Sequence, residues 1–183
     1  VLEQACIALK RVNEKFCTNY CVAVNVSGVQ LFADDFVDQV LAVLERTGVE
    51  PCLLELEVTE SVLISREFHA IEKVNELIRH GVRIALDDFG TGYSSLSMLK
   101  DLRITTLKID KLFIHDPNAA LLTKMIVRLG HTLGAEIVAE GVENEEQMRA
   151  IRRAGCDRIQ GFYKGLPMPL DTLTHFIASK VKV

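Results

Sequence analysis

The chain has 183 residues, 49% of them hydrophobic, and a formal net charge of -4, which is enough apolar material for one sizeable core and reads as a single domain over residues 1–183. No apolar run approaches the roughly 18 residues of a membrane span, and the start lacks the basic-then-apolar pattern of a secretory signal. An acidic balance without a basic run excludes a broad nucleic-acid surface held by phosphate neutralisation.

Leu2, Ile7, Ala8 and Val12 recur at helical spacing, and Cys21 to Ser27 is then a short valine-rich run, so a helix feeds a strand. The alternation repeats with strands predicted near Leu53 to Val58, Val82 to Leu86, Thr105 to Ile109, Glu136 to Ala139 and Arg158 to Gln160, each followed by a helix-length segment. Repeated βα units with near-continuously apolar strands imply a parallel sheet covered by helices, either doubly wound or closed into a barrel. The polar residues separate the two. Asn25, Glu57, Asp87 with Asp88, Lys108 with Asp110, Glu140 and Gln160 sit at successive strand ends. In a barrel all those ends open onto one face, whereas a doubly wound sheet uses only the strands beside its switch point. The expected fold class is therefore α/β, a TIM-like (β/α) barrel. A full barrel has eight units and about 250 residues, so about six of the eight are expected here, with the N-terminal strands lacking.

Asp87 and Asp88 precede the turn-rich stretch Phe89-Gly90-Thr91-Gly92-Tyr93-Ser94-Ser95, which is expected to lead into a helix capped by Ser94 or Ser95. Adjacent carboxylates repel, and a divalent cation would keep both ionised; the simpler alternative is a turn or capping pair. Asn25, Glu57, Asp87, Asp88 and Glu140 are all hard oxygen donors, and the histidines lack zinc-ligand spacing, so Mg²⁺ or Mn²⁺ is the expected ion. Asp87, central in strand order, could bridge two such ions, an arrangement suited to phosphodiester cleavage.

Lys108 and Asp110 leave their strand on one face. Lys108 is either a buried counter-ion for Glu57 or Asp110, or a contact of the nucleophilic water, and the two roles are compatible. Glu140 is a metal ligand or a general base. Glu143 lies beside the site or serves as an acid at a helix N-terminus. Glu55 shares the facing of Glu57 one barrel layer down and is assigned a structural role, although apolar residues usually fill those layers. Thr59 and Glu60 are expected in a loop before a helix beginning near Ser65, with Glu60 either capping that helix or bracing the Asp87-Asp88 loop. Five cysteines (Cys6, Cys17, Cys21, Cys52, Cys156) form no CxxC pair, so free thiols in a reducing cytoplasm are expected.

Taken together, Val24-Asn25-Val26-Ser27, Glu57-Val58-Thr59-Glu60, Asp87 through Gly92, Lys108-Ile109-Asp110, Ala139-Glu140-Gly141-Val142-Glu143 and Gln160-Gly161-Phe162 resemble the ordered motif set of the EAL family. The resemblance covers the chain nearly end to end. It implies a metal-dependent phosphodiesterase that hydrolyses cyclic di-GMP to linear pGpG in bacterial signalling, with two Mg²⁺ or Mn²⁺ ions. It further implies Asn25, Glu57, Asp87, Asp88 and Glu140 as metal ligands, Glu140 and Lys108 as catalytic, and Asp110, Gln160 and Glu143 on the substrate side. Glu60 would stabilise the Asp-Asp-Phe-Gly loop. A homodimer, fused sensory or regulatory domains, a cytoplasmic location and a membrane-anchored parent protein belong to the same picture, with no membrane contact by this segment and no nucleic-acid polymer as ligand. The Glu-Ala-Leu motif of the family does not occur in these residues and is expected upstream of Val1. The Asp116-Pro117-Asn118 segment is shorter than the family norm, and Leu166 stands where a basic residue is common. The alternative function is a receptor that binds cyclic di-GMP without turning it over.

Overall fold

A computed structural model describes residues 1–65, 67–90, 99 and 102–180, so the expected capping by Ser94 or Ser95 lies outside the described residues. Among the described residues six strands run in chain order: β1 Val22–Asn25, β2 Leu54–Thr59, β3 Arg83–Phe89, β4 Thr106–Ile109, β5 Glu136–Ala139 and β6 Arg158–Ile159. All are parallel, and their order in the sheet is their order in the sequence. A doubly wound sheet would reverse direction about a switch point; this one does not.

The helices with described bounds are α1 Leu2–Phe16, α2 Gly28–Phe32, α3 Phe36–Thr47, α4 Glu60–Ser65, α5 Glu67–Arg79, α6 Lys111–His115, α7 Ala120–Thr132, α8 Glu145–Ala154 and α9 Leu170–Lys180. They form where apolar residues recur at three- and four-residue spacing. In α3, Phe36, Val37, Val40, Val43, Leu44 and Thr47 are buried as one stripe. In α8 the polar signal dominates: Asn144 and Gln147 make a reciprocal capping box, and acids begin the helix while arginines end it.

One face of the sheet packs on these helices through Leu54, Leu56, Val58, Ile84, Leu86, Leu107, Ile109 and Ile137, each at most 1% exposed. The register puts the alternate residues, Glu55, Glu57, Arg83, Asp87, Thr106, Lys108, Glu136 and Arg158, on the other face. Side chains from non-adjacent strands meet there: Lys108 of β4 touches Glu57 of β2, and Arg83 of β3 touches Glu136 of β5. That convergence requires the sheet to curl, and the face is the concave lumen of a barrel wall.

Two local expectations are corrected. No loop precedes a helix at Ser65; Thr59 ends β2 and Glu60 itself opens α4, because Leu63 must turn at once into the core, where it is fully buried. The second concerns β3, which runs on through Asp87 and Asp88 to Phe89. Its pairing with β4 shifts register between Leu86 and Phe89, and Asp88 adopts a positive φ of 54°. This is a bulge. The short Asp116-Pro117-Asn118 segment is a single 3-10 turn, Pro117–Ala119, running straight into α7.

Candidate active site

The lumen rim is assembled by backbone pairing that continues past the strand ends. The Val26 N–H donates to Glu57 O, Glu140 N–H to Ile109 O and Gln160 N–H to Ala139 O, so these residues are held by the ladder rather than by free loops. Asn25 closes β1 directly opposite Glu57 in register. At β3, strict alternation would point Asp87 and Asp88 to opposite faces. The bulge cancels this, and oxygens of Asp87, Asp88 and Glu140 all lie within 4.8 Å of one another.

Beneath them sits the Lys108 ammonium, almost fully buried. It donates to Glu57 Oε1 at 2.7 Å, to Asp87 Oδ1 at 3.0 Å and to Glu140 Oε1 at 2.7 Å. Three donors meet three carboxylates, from β2, from β3 and from the residue that follows β5. Burial alone would lower the Lys108 pKa; the hydrogen bonds and charges of Glu140 and Glu57 outweigh it and hold the ammonium above its ordinary value. Burial is also what pushes Glu140 up, with Asp87 and Glu57 adding to the rise and Lys108 opposing it. Asp88 is raised by burial, by the negative charges of Asp87 and Asp110, and by its hydrogen bond with Asp110. Asp110 in turn caps α6 by accepting from the Leu112 N–H at 2.7 Å.

Beside this group opens a cavity of about 400 Å³ lined by Asp88, Asp110, Glu140, Glu143, Gln160 and Phe162, together with Lys111, Gly141 and Gly161. Glu143 is exposed at its edge and immediately precedes the cap of α8. Glu60 stands behind the rim, 1% exposed, and accepts a hydrogen bond from the Gly90 N–H at 3.0 Å. Two glycines close the cavity wall. A Cβ on Gly161 would lie 2.3 Å from Val142 O, and one on Gly141, whose φ is +67°, would lie 2.5 Å from Lys111 Cβ.

Sequence reasoning passed over Lys111, whose neighbour Asp110 was the stronger signal, and the Phe162 ring, 59% exposed at the cavity. It placed Glu55 in the layer under Lys108 but not its partners. There Arg83 donates to Glu55 at 3.3 Å and to Glu136 at 3.1 Å, Arg158 pairs with Glu136 at 2.6 Å, and the Thr106 hydroxyl donates to Glu55.

Oxygen donors of several charges, gathered within ligand distance on one rim, fit a hard divalent cation, and no thiolate or imidazole takes part in the group. A parallel barrel wall with its polar groups at the strand C-termini and an acidic, oxygen-donor rim defines the class of (β/α) barrels whose sites are built at that face. Within that class the chain belongs to the EAL domain family, whose model matches residues 1–167. The chain is 42% identical over 182 residues to the bifunctional diguanylate cyclase/cyclic di-GMP phosphodiesterase MucR of Pseudomonas aeruginosa, covering 97% of this chain and 27% of that protein. The solved structure of the MucR phosphodiesterase in complex with c-di-GMP superposes with a TM-score of 0.90 over 94% of this chain and 71% of that one. A manganese/cy-diGMP complex of Klebsiella pneumoniae BlrP1 is 27% identical, with a TM-score of 0.79 over 87% of this chain and 41% of that one. The chain spans about a quarter of the length of the curated relatives it matches. No helix among the described residues is long and apolar enough to cross a membrane.

Proposed function

We propose that this rim hydrolyses cyclic di-GMP to linear pGpG. The observation that carries the reading is Lys108, hydrogen-bonded at once to Glu57, Asp87 and Glu140, with Asp88 alongside. Asn25, Glu57, Asp87, Asp88 and Glu140 would hold Mg²⁺ or Mn²⁺, which supplies charge neutralisation and Lewis acidity at the phosphoryl group. Glu140, with its pKa raised by burial, is the general base: it takes a proton from the attacking water while Lys108 holds its other contacts in place. The water oxygen bonds to phosphorus, the bond to the 3′ oxygen breaks, and that oxygen takes up a proton from solvent. Gln160, Glu143 and Asp110 line the side of the cavity that receives the nucleotide, and Glu60 keeps the Asp87–Gly90 turn in place through Gly90.

The test is product formation from cyclic di-GMP with Mg²⁺ or Mn²⁺, beside Glu140→Gln. We expect turnover by the wild type and a loss of about 100-fold or more in the variant, the scale of a removed general base. Tight binding of cyclic di-GMP with no product in either metal would instead support a receptor.

A further inference from the structure

The layer below Lys108 departs from what barrel interiors normally hold. Stacked apolar side chains usually fill such layers, yet here Glu55, Arg83, Thr106, Glu136 and Arg158 form one hydrogen-bonded chain. Thr106 is fully buried and Glu55 nearly so. The chain touches five strands, and each of the five also carries a rim group toward its C-terminal end: Glu55 with Glu57, Arg83 with Asp87, Thr106 with Lys108, Glu136 with Glu140, and Arg158 with Gln160.

Arg83 is the hub. Its guanidinium spans from β3 across Thr106 of β4 to Glu136 of β5, at 3.4 Å and 3.1 Å, while its Nε reaches back to Glu55 of β2 at 3.3 Å. Backbone pairing sets neighbouring strands side by side but leaves β2 and β5 free to change their separation as the sheet opens or closes. The arginine spans that gap with fixed fork geometry. Directly above it, Lys108 spans the same gap between Glu57 and Glu140.

We propose that this ionic layer is a positioning device: Arg83, with Glu55, Thr106 and Glu136, sets the curl of the barrel wall and thereby the separation of the rim carboxylates that receive a divalent cation. The inference rests on the metal-dependent reading of the rim. Its charges balance, two acids against two arginines, so its contribution is spacing rather than field.

The experiment measures Mn²⁺ binding by electron paramagnetic resonance, and kcat and KM for cyclic di-GMP, in the full chain, in Arg83→Met and in Thr106→Val. Failure of the wild type to bind Mn²⁺ would refute the metal-dependent reading, and the positioning role with it. Given a wild type that binds, we expect Arg83→Met to lose Mn²⁺ affinity and kcat by about 10- to 100-fold, the scale seen when partners of metal ligands are removed, with KM little changed. Thr106→Val, which removes one hydroxyl without changing side-chain size much, should lose several-fold in both while keeping its melting temperature. Arg83→Lys should recover only part of the loss, since it keeps the charge and lacks the fork. Mn²⁺ affinity within twofold of wild type in a folded Arg83→Met overturns the proposal. So does unfolding of both variants, which would assign the layer to stability alone.

Discussion

Glu60, buried at the start of α4, accepts a hydrogen bond from the backbone N–H of Gly90 across 30 residues of chain. Gly90 follows Asp87, Asp88 and Phe89 directly, so this one carboxylate anchors the turn that presents two rim acids. Glu60→Ala should leave the Gly90 N–H unsatisfied and let the bulge relax. We expect a loss of about 10-fold in divalent-ion affinity, measured by calorimetry, with Glu60→Gln much closer to wild type because its amide oxygen can still accept.

Lys108 is the counter-charge for two buried carboxylates, Glu57 and Asp87, and for the partly buried Glu140. Removing one member of a buried ionic group leaves the others uncompensated and costs about 3–5 kcal/mol. Lys108→Met should therefore melt well below wild type when divalent ions are chelated, and regain much of the loss when Mn²⁺ is added, since a cation among the same oxygens replaces the missing charge. Thermal unfolding with EDTA and with Mn²⁺ reads this directly; equal melting in both conditions would contradict it.

Phe162 offers an exposed ring at the edge of the cavity. Stacking of a base on an aromatic ring is worth about 1–3 kcal/mol, so Phe162→Ala should raise KM for cyclic di-GMP by roughly tenfold with kcat little affected. A fall in kcat at constant KM would place the ring elsewhere in the reaction.

At the opposite end of the barrel wall, Asp157 accepts from the Ile137 N–H at 2.8 Å and contacts His131 Nε2 at 2.9 Å. Burial alone would raise its pKa; the Ile137 N–H, His131 and the Arg158 charge outweigh that and hold the carboxyl below its ordinary value. A carboxylate lowered on folding contributes stability that is complete above the unfolded value, about pH 4, and is lost as pH falls through the lowered folded value. Asp157→Asn should therefore melt about 2–4 °C below wild type at pH 6, with the gap closing as pH falls below the unfolded value and through the lowered folded one, the small size reflecting a side chain 41% exposed.

The strands were legible because a parallel wall buried on its outer face must be written as short apolar runs, and all six fall within about three residues of the expected bounds. The rim was legible for a related reason: acids at the ends of such runs have no packing role. What escaped depends on partners far along the chain. Alternation shows that Glu55 faces inward, but not that Arg83, 28 residues on, and Glu136, 53 beyond that, share its layer. The bulge escaped because its signal is a backbone angle at Asp88, which two adjacent acids at a strand end do not announce.

β6 comprises only Arg158 and Ile159, neither of them fully buried, and it borders the sheet beside β5. Gln160 therefore follows a strand of two residues, while Glu57, Asp87 and Lys108 lie within strands of six, seven and four. The two halves of the rim thus differ in how they are held: the acidic half stands on strands of four to seven residues, and the half assigned to the nucleotide follows a strand joined to β5 by two residue pairs.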